Sequence, residues 1–282
     1  MGYSLENSTT PTVVNAKSID THVAAATGAH TLSVMAWGKG GAECVTSVAI
    51  DVVPDPTSSV PTDALVFSKI QDLTTWQGVN DSGSGGSSTG TTTLLTSPSL
   101  SGLSREFATS FTNYGGERYY TIIGANTAVS NFLYDGWVYI SRSANSIANI
   151  EMDMNQVMAN GQTVIYGFQC DGWTGTWDYT ENSGTAANYV DAWVKSNAPC
   201  NPQTWSVNTW HHVQISYSRD QYGSVTYRSV WLDGVEQDFN ATVPSSFALG
   251  WSSVLLTNFQ IDGYTTSGSS TLFLDELTVY AW

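Results

Sequence analysis

Short segments in which apolar and polar residues alternate follow one another along most of this 282-residue chain, with turn-forming residues between them. Helical periodicity is almost absent. Segments of this kind, recurring about every ten to fifteen residues, predict an all-β protein, because alternation with a period of two buries one face of a strand. The strands expected in the larger part of the chain are residues 119–123, 132–140, 150–157, 163–170, 211–218, 225–232, 254–261 and 271–282. Their number and spacing indicate a two-sheet antiparallel jelly-roll sandwich.

A proline-rich segment divides the chain into two parts. Pro54, Pro56 and Pro61 stand within a stretch of eight residues. Proline cannot donate a hydrogen bond to a sheet ladder, so we expect an extended, semi-rigid linker over residues 55–62. The sequence therefore predicts a small β domain in residues 1–54 and a jelly-roll domain in residues 63–282.

The small domain is predicted to be incomplete. Residues 29–37 and 45–53 alternate on either side of the glycine-containing turn 38–41, which predicts a β-hairpin, and residues 19–24 predict a weaker strand. These are too few strands for a complete sandwich. In the larger part, residues 82–93 are dominated by Gly, Ser and Thr, and we expect them to form a mobile surface loop.

The composition excludes several functions. Acidic residues outnumber basic ones by 24 to 9, for a formal charge of -15, so binding of a nucleic acid in a basic groove is not expected. The sequence contains no apolar run long enough to cross a membrane and no signal peptide pattern, so we expect no membrane insertion. With 11 Trp and 14 Tyr, the chain is typical of a secreted or cell-surface β protein that recognises ligands by stacking and neutral hydrogen bonds.

Three cysteines give a weak indication of compartment. Cys170 and Cys200 could form a disulfide that closes one loop of about thirty residues. By the chain-entropy model, such a disulfide stabilises the fold by roughly 3–4 kcal/mol. Cys44 is then left as a buried thiol or an intermolecular link. The alternative is three reduced, buried thiols. We favour the single disulfide, because an exported protein fits the rest of the composition.

Two hairpins can be placed in register from the sequence, and in the second of them Asp233-Gly234 closes a tight turn after residues 225–232. The first is the more informative. Residues 159–161 form an Ala-Asn-Gly sequence that suits a three-residue loop, with Gly161 in the left-handed conformation. The pairs that follow are Met152 with Phe168 and Met154 with Tyr166 toward the core, and Glu151 with Gln169 and Asp153 with Gly167 on the polar face. Strand parity thus separates a core face from a polar face.

Two segments near the C-terminus carry a family resemblance. The run Trp210-His211-His212-Val213-Gln214-Ile215, followed by Val230-Trp231-Leu232-Asp233-Gly234-Val235, resembles a pattern of concanavalin A-like, laminin-G-like jelly rolls. Residues 273–280 are similar to the closing strand of many such carbohydrate-active domains. The chain from residue 63 onward also resembles exported proteins of Acidobacteria-type bacteria, which commonly carry Ig-like domains upstream. Residues 28–37 are similar to the end of such a domain, which implies a partial Ig-like fold for residues 1–54.

Glu151, Asp153 and Asn155 project from one face of a predicted strand, since residues two apart share a face. With Gln156 they resemble the E-x-D-x-(x)-E signature of laminarinase-type glycoside hydrolases. The resemblance implies that Glu151 is the nucleophile and Asp153 its polar supporter. Gln156 then stands where the acid/base carboxyl belongs, and an amide cannot exchange a proton in that way, so Asp171 is the nearest alternative acid. The competing interpretation is the ordinary polar face of a strand.

Aromatic residues are concentrated after the strand that pairs with Glu151. Trp173 and Trp177 lie in a Gly/Thr-rich segment, and Trp193 follows before Cys200. Aromatic rings stack on the C–H faces of sugars, while amides such as Asn155 and Gln169 bind sugar hydroxyls. We expect Trp173 and Trp177 to be exposed and to bind substrate. The alternative is that these rings cap a minor core.

The two adjacent histidines point to opposite faces of their strand and cannot form a paired metal site. His211 is predicted to pack in the core. His212 and Gln214 share a face with Trp210, and we expect these three to line the cleft. No cofactor is required for the predicted function, but the jelly-roll resemblance makes a structural calcium ion plausible, with Asp275 and Glu276 as its candidate ligands.

Three functions are consistent with these patterns. The first is extracellular recognition of a polysaccharide in a concave, aromatic-lined groove of the jelly roll. The second is endo-acting hydrolysis of a β-glucan-type polysaccharide by Glu151 and Asp153. The third is a structural or adhesive role at the cell surface, with self-association through the incomplete N-terminal domain. We expect the first, with hydrolysis as the main alternative.

Overall fold

The computed structural model describes residues 1–6, 10–19, 21, 23, 25–38, 40–81, 85–142 and 144–282. They form two compact units, Met1–Ser58 and Ser59–Trp282. Strands dominate both units. The short 3-10 helices of the described chain are Pro56–Ser59, Ile70–Asp72, Ala144–Ser146 and Pro202–Thr204. None of the helices in this part of the chain is long and apolar enough to cross a membrane.

The N-terminal unit is one antiparallel sheet of four strands in the order β2-β1-β3-β4. The strands are β1 Gly2–Leu5, β2 Thr12–Val13, β3 Gly28–Trp37 and β4 Glu43–Val52. Strands β3 and β4 are the predicted hairpin, paired from Gly28–Val52 to Trp37–Glu43.

Two N-terminal predictions have different outcomes. In the weaker strand predicted at 19–24, the described residues Ile19, Thr21 and Val23 are not in a strand, and the other three lie outside the described residues. The resemblance to an Ig-like domain of Acidobacteria-type proteins and self-association through this unit stay predictions.

The predicted extended linker is wrong for four of its residues. Pro56–Ser59 forms a 3-10 turn instead. Asp55 stabilises this turn, because its Oδ1 accepts from the backbone N–H of Thr57 at 2.9 Å and its carbonyl oxygen accepts from the hydroxyl of Ser58 at 2.7 Å. Proline fits the first position of such a turn, where its missing N–H is not needed.

The C-terminal unit contains two antiparallel sheets. Sheet I has the order β18-β17-β16-β10-β21-β8-β7, with β5 also paired to β21. Sheet II has the order β15-β14-β13-β11-β20-β9-β6, with β12 paired to β11 and β19. The strands are β5 Leu65–Phe67, β6 Gln77–Asp81, β7 Ser87–Leu95, β8 Ser104–Thr112, β9 Gly116–Gly124, β10 Asn131–Arg142, β11 Ile147–Val157, β12 Thr163–Tyr166, β13 Phe168–Asp171, β14 Thr176–Asn182, β15 Asp191–Pro199, β16 Trp210–Arg219, β17 Ser224–Leu232, β18 Val235–Pro244, β19 Ser246–Phe247, β20 Leu255–Gly263 and β21 Ser267–Ala281.

Aromatic contacts join the two sheets across the core. Phe132 of sheet I contacts Tyr166 of sheet II with ring centroids 5.1 Å apart, and Phe107 contacts Phe259 at 5.0 Å. All four rings are completely buried. Burial of large rings between two sheets is the main stabilising term of such a sandwich. The predicted two-sheet antiparallel sandwich is confirmed.

The hairpin between β11 and β12 has the predicted register. The backbone N–H of Met158 donates to the carbonyl of Gln162 at 2.8 Å, and Gly161 has a φ of 80°. Met154 pairs with Tyr166. Further along, where β13 replaces β12 beside β11, Glu151 pairs with Gln169 as predicted. Register therefore carries Glu151 to the outward face of sheet II.

The prediction of a mobile loop at 82–93 is wrong for residues 87–93. Ser87–Leu95 forms β7, which pairs with β8 along its whole length. Threonine stabilises strands by its branched Cβ, so a Thr-rich segment beside a free sheet edge forms a strand despite its low complexity. Residues 82–84 lie outside the described part.

Cys170 and Cys200 form the predicted disulfide, with Cα atoms 5.3 Å apart. Both residues are buried in the core. Cys44 is a free thiol on β4 and is exposed, so the alternative that it is a buried thiol is wrong. The disulfide joins β13, just before the loop that carries Trp173, to the residue that follows β15. The backbone N–H of Cys200 also donates to the carbonyl oxygen of Gly175 in that loop at 3.1 Å.

Candidate functional site

The outward face of sheet II forms a groove of about 1410 Å³. Its floor consists of side chains from strands β6, β9, β11, β13, β14, β15 and β20. Because neighbouring antiparallel strands place paired residues side by side, these side chains form rows that cross the strands. Two rows organise the groove, and we call them the central row and the aromatic row.

The central row is polar from β15 to β9, and the next position in it, on β6, is Val79. In order across the sheet it contains Lys195, Asp178, Gln169, Glu151, Gln260 and Arg118. The aromatic row lies two residues further along each strand, and its part within the groove has an aromatic ring at each side. In order it contains Trp193, Thr180, Asp153, Asn258 and Tyr120. The groove thus combines carboxyl and amide groups at its centre with aromatic rings at its sides.

Glu151 lies beside a second carboxyl group that the sequence did not indicate, that of Asp262. The Gln260 side chain donates from Nε2 to Glu151 Oε1 at 2.8 Å and to Asp262 Oδ1 at 3.1 Å. Burial, followed by the neighbouring Asp262 carboxyl, raises the pKa of Glu151 well above its usual value. Burial raises the pKa of Asp262 to about 7. Uncompensated burial disfavours charge on a carboxyl group, so protons remain on this pair near neutral pH.

Asp153 is the next outward residue of β11. Its Oδ1 accepts a hydrogen bond from the backbone N–H of Phe168 at 2.9 Å. Burial raises the pKa of Asp153 to about 7, although hydrogen bonds from Phe168 and Asn258 oppose the shift. The groove floor therefore holds several carboxyl groups with raised pKa values, a property that is common at functional sites.

Asn155 has an oxygen without a partner. The side chain lines the groove and is only 3% exposed, and its Oδ1 accepts no hydrogen bond from any described residue. Most buried polar atoms in folded proteins are hydrogen-bonded, so an orphaned acceptor facing a groove is available to a donor from a ligand.

Asp171 and Gln169 both line the groove, as the sequence predicts. Asp171 also stabilises the loop beside it. Its Oδ1 accepts from the backbone N–H groups of Trp173 at 2.6 Å and Thr174 at 3.2 Å. Gln169 donates from Nε2 to the other Asp171 oxygen at 3.5 Å. Both side chains thus connect the groove floor to the loop that carries Trp173.

Trp173 is 54% exposed, as predicted, and forms one rim of the groove. Its ring stacks on Tyr264 with centroids 4.3 Å apart and meets the edge of Tyr114 at 5.8 Å. Trp193 is 42% exposed at the side of the groove, and Trp251 at the opposite rim is also 42% exposed. Supported rings with a free face are suited to stacking on a ligand.

The prediction that Trp177 is exposed is wrong. Trp177 is completely buried and stacks on Phe168 with centroids 5.2 Å apart. It pairs with Cys170 across β13 and β14, so it shares the core face with the disulfide. Its neighbour Asp178 takes the outward position instead. Successive residues of a strand point to opposite faces, so a shift of one residue exchanges the core face for the groove face.

Trp210, His212 and Gln214 do not line the groove, contrary to prediction. They lie on β16, which pairs with β10 and β17 in sheet I. His212 stacks on Trp137 with centroids 4.4 Å apart. The three residues are two positions apart and so share one face of β16, as predicted. That face is part of sheet I and not of the groove on sheet II. His211 is buried and packs against Trp205, as predicted.

Gln156 does not occupy an acid/base position. Its side chain is completely buried, with Nε2 donating to the carbonyl oxygen of Val129 at 2.9 Å. Its Oε1 accepts from Tyr166 at 3.0 Å and from Arg219 at 2.7 Å. The regular alternation of β11 turns Gln156 to the side opposite Glu151. The resemblance to the laminarinase-type signature therefore ends at Asp153.

Asp275 and Glu276 do not fit a calcium site. The Asp275 carboxylate is completely buried and accepts hydrogen bonds from N–H and O–H donors, including Ser99 Oγ at 2.8 Å and the backbone N–H of Leu100 at 2.6 Å. Glu276 is exposed. A carboxylate satisfied by donors is not arranged for a cation. Within the described residues, no group of three His, Cys, Asp or Glu side chains could hold a metal ion.

Several groove residues have no sequence motif. Alternation along β20 places Asn258, Gln260 and Asp262 on one face, but the sequence does not indicate which strand lies beside them. Arg118 and Tyr120 reach the groove from β9, about thirty residues before Glu151. They are distant in sequence, and only the sheet order brings them together.

Comparisons with known proteins give structural similarity without sequence similarity. A carbohydrate-binding module of the β-sandwich superfamily shares 11% identity over 98% of this chain and 82% of its own, with a TM-score of 0.39. The cellulose-induced protein Cip1 shares 15% sequence identity over 74% of this chain and 92% of its own, with a TM-score of 0.44. The alginate lyase vAL-1 from Chlorella virus shares 7% sequence identity over 74% of this chain and 93% of its own, with a TM-score of 0.42. No family model and no curated protein matches the sequence. At these identities and TM-scores, none of the similarities assigns a ligand or a reaction to this chain.

Proposed function

We propose that the groove on sheet II binds a polysaccharide. The observation that carries the proposal is the combination of exposed indole rings, among them Trp173, Trp193 and Trp251, with a floor of carboxyl and amide groups. Sugars present apolar C–H faces and hydroxyl edges, so a site for them needs aromatic faces and hydrogen-bonding groups together. Asn155 adds an acceptor without a partner.

The size of the groove favours a chain of sugars over a single one. Trp193 on β15 and Tyr120 on β9 end the aromatic row, and five strand spacings separate their strands. At about 4.8 Å for each spacing, the strands are about 24 Å apart. The groove volume of about 1410 Å³ also exceeds that of ordinary small-molecule pockets. An oligosaccharide segment of a polymer matches both dimensions.

The disulfide supports an extracellular setting for this function. Cys170 and Cys200 are bonded beneath the loop that carries Trp173. Cytosolic thiols are kept reduced, while disulfides persist outside the cell, where polysaccharides are also found. Secretion or display at the cell surface is therefore part of the proposal.

Affinity electrophoresis tests the binding proposal directly. In gels that contain mixed-linked β-glucan, galactomannan or xylan, the protein should be retarded by at least one polymer. Trp193→Ala should weaken that binding about fivefold, because a stacked ring contributes on the order of 1 kcal/mol. Trp37→Ala is the matched control, since Trp37 is also 42% exposed but lies in the N-terminal unit. Absence of retardation by every polymer, or equal losses in the two variants, contradicts the proposal.

Hydrolysis of the bound polysaccharide is the second candidate function. The observation that favours it is the position of Glu151 in the groove floor, where Gln260 donates to it and to Asp262, and where burial raises its pKa well above the usual value and so favours its protonated form. Such a group suits the general acid that protonates the leaving glycosidic oxygen, whereas a nucleophile must be ionised. Water supplies the new hydroxyl. The neighbouring Asp153, whose ionised form is favoured by the hydrogen bond from the backbone N–H of Phe168, acts as the base that activates the water or as the nucleophile. We therefore assign Glu151 the role of acid in this candidate reaction.

Release of reducing ends from the same three polymers tests hydrolysis. Glu151→Gln should lower any activity at least about 100-fold, since an amide cannot donate a proton, and should leave retardation in the gels intact. Glu236→Gln is the control, because Glu236 is exposed on sheet I. If the wild-type protein releases no reducing ends, the candidate reaction is rejected and binding alone remains.

A further inference from the structure

The groove is strongly acidic. Besides Glu151, Asp153 and Asp262, four more carboxyl groups line it, those of Asp81, Asp171, Asp178 and Asp191. Among the described lining residues, only Arg118 and Lys195 are cationic. The formal excess is therefore five negative charges around one elongated site.

The two cations do not neutralise the centre of the groove. Arg118 and Lys195 stand at opposite ends of the central row, with Asp178, Gln169, Glu151 and Gln260 between them. Lys195 donates from Nζ to the carbonyl oxygen of Thr174 at 3.1 Å. A ligand at the centre thus meets mainly carboxyl and amide groups, because burial raises the pKa of Asp153 by more than the attraction of Arg118 for that carboxyl lowers it.

From this arrangement we propose that the groove binds polysaccharides without carboxyl groups and excludes polyuronates. The inference rests on the proposed function of the groove and specifies its ligand class. A uronate in the groove brings a further negative charge among carboxyl groups such as Asp171 and Asp178 and next to the buried Glu151 and Asp153, which disfavours binding. A neutral sugar brings hydroxyl donors instead, and these pair with carboxyl oxygens and with the orphaned Asn155 Oδ1.

Raised pKa values among these groups agree with the proposal. Burial raises the pKa of Asp178 to about 6, and the nearby Asp171 carboxyl adds to the shift. The pKa of Asp191 is also raised, by partial desolvation, although this residue is exposed at the start of β15. The environment of these carboxyl groups therefore disfavours negative charge even with Arg118 and Lys195 in the groove. A polyanion adds to that unfavourable charge.

The test compares one polymer in two charge states. The probe is whichever neutral polysaccharide retards the protein, together with the same polymer after oxidation of its primary hydroxyls to carboxylates. A xylan backbone lacks that hydroxyl and is replaced by its carboxymethyl derivative. At pH 8 and low salt, the oxidised polymer should bind at least about tenfold more weakly. At 0.5 M NaCl that difference should shrink, because salt screens repulsion between charges, while binding of the neutral polymer stays nearly unchanged.

Two double variants distinguish repulsion by charge from exclusion by shape as the cause of weaker binding. Asp178→Asn combined with Asp191→Asn should reduce the penalty against the oxidised polymer at least about threefold, since two negative charges leave the groove. Glu236→Gln combined with Glu276→Gln is the control with the same change in net charge, because both residues are exposed on sheet I. That control should leave the penalty unchanged.

The outcomes distinguish the inference from the function on which it rests. Weak binding of the oxidised polymer that recovers with salt supports the inference. Equal or tighter binding of the oxidised polymer overturns it and leaves polysaccharide binding intact. A penalty that does not respond to salt or to the groove variants also overturns it, because shape rather than charge is then responsible. If no neutral polymer binds, the proposed function fails and the inference fails with it.

Discussion

Glu151 and Gln156 are five residues apart on β11, yet their side chains lie on opposite sides of sheet II. Glu151 faces the groove beside Gln260, and Gln156 faces the interior beside Arg219. An odd separation along a regular strand always produces this result. The motif interpretation required both residues on one face, which needs an irregularity that β11 does not have at this point.

Gln156 is a structural residue whose removal should destabilise the protein. Gln156→Ala leaves the Arg219 guanidinium and the Tyr166 hydroxyl without their shared acceptor inside the sandwich. Unpaired buried donors cost on the order of 1–3 kcal/mol each, so we expect a loss of about 3 kcal/mol in the free energy of unfolding. Urea denaturation measures it.

Asn160→Ala is the control for that measurement, since Asn160 is exposed at the loop of the same hairpin. We expect it to change the free energy of unfolding by less than about 1 kcal/mol. Losses of similar size in the two variants contradict the structural role assigned to Gln156.

At the scale of elements, the β11–β12 hairpin was predictable because every determinant is local. The loop sequence at 159–161 specifies a left-handed Gly161, and the loop in turn specifies the pairing of Met154 with Tyr166. The position of β16 was not predictable in the same way. Its parity is correct, but parity does not indicate which of two sheets a strand joins.

The disulfide is an element-scale constraint on the loop that carries Trp173. Replacing Cys170 and Cys200 by Ser should lower the free energy of unfolding by about 4 kcal/mol, from the entropy of a loop with a sequence separation of 30. The loop is then less restrained beside the groove, so polysaccharide affinity should fall as well. Thermal denaturation and affinity electrophoresis measure the two effects.

Cys44→Ser controls for the loss of a sulfur atom, because Cys44 is a free, exposed thiol. It should change neither stability nor affinity. Unchanged affinity in the Cys170/Cys200 double variant would show that the loop keeps its conformation without the disulfide, and that Asp171 suffices to hold it.

At the scale of the whole molecule, the groove carboxyl groups make stability depend on pH. The pKa values of Asp153 and Asp262 rise from about 4 in an unfolded chain to about 7 in the folded protein. Between these values the folded state binds more protons than the unfolded state, so stability decreases as pH rises through this window. The melting temperature should therefore be higher at pH 5 than at pH 7.5.

Asp153→Asn should flatten that dependence, because the amide does not titrate. Glu236→Gln, which removes an exposed charge from sheet I, should retain the slope of the wild type and so controls for the general self-repulsion of an acidic chain. A melting temperature that rises between pH 5 and pH 7.5 contradicts the assigned pKa shifts.

Alternation along the chain was sufficient to determine an all-β sandwich, the outward face of β11 and the position of Trp173 near the groove. These properties depend on neighbours within a few residues, where the geometry of the strand leaves one outcome. The order of the strands in each sheet was decided only in the tertiary structure. That order places Asp262 beside Glu151, places His212 in the other sheet and gathers the acidic side chains in one groove. Strand order depends on long-range packing of apolar faces that resemble one another, and no local pattern distinguishes among them.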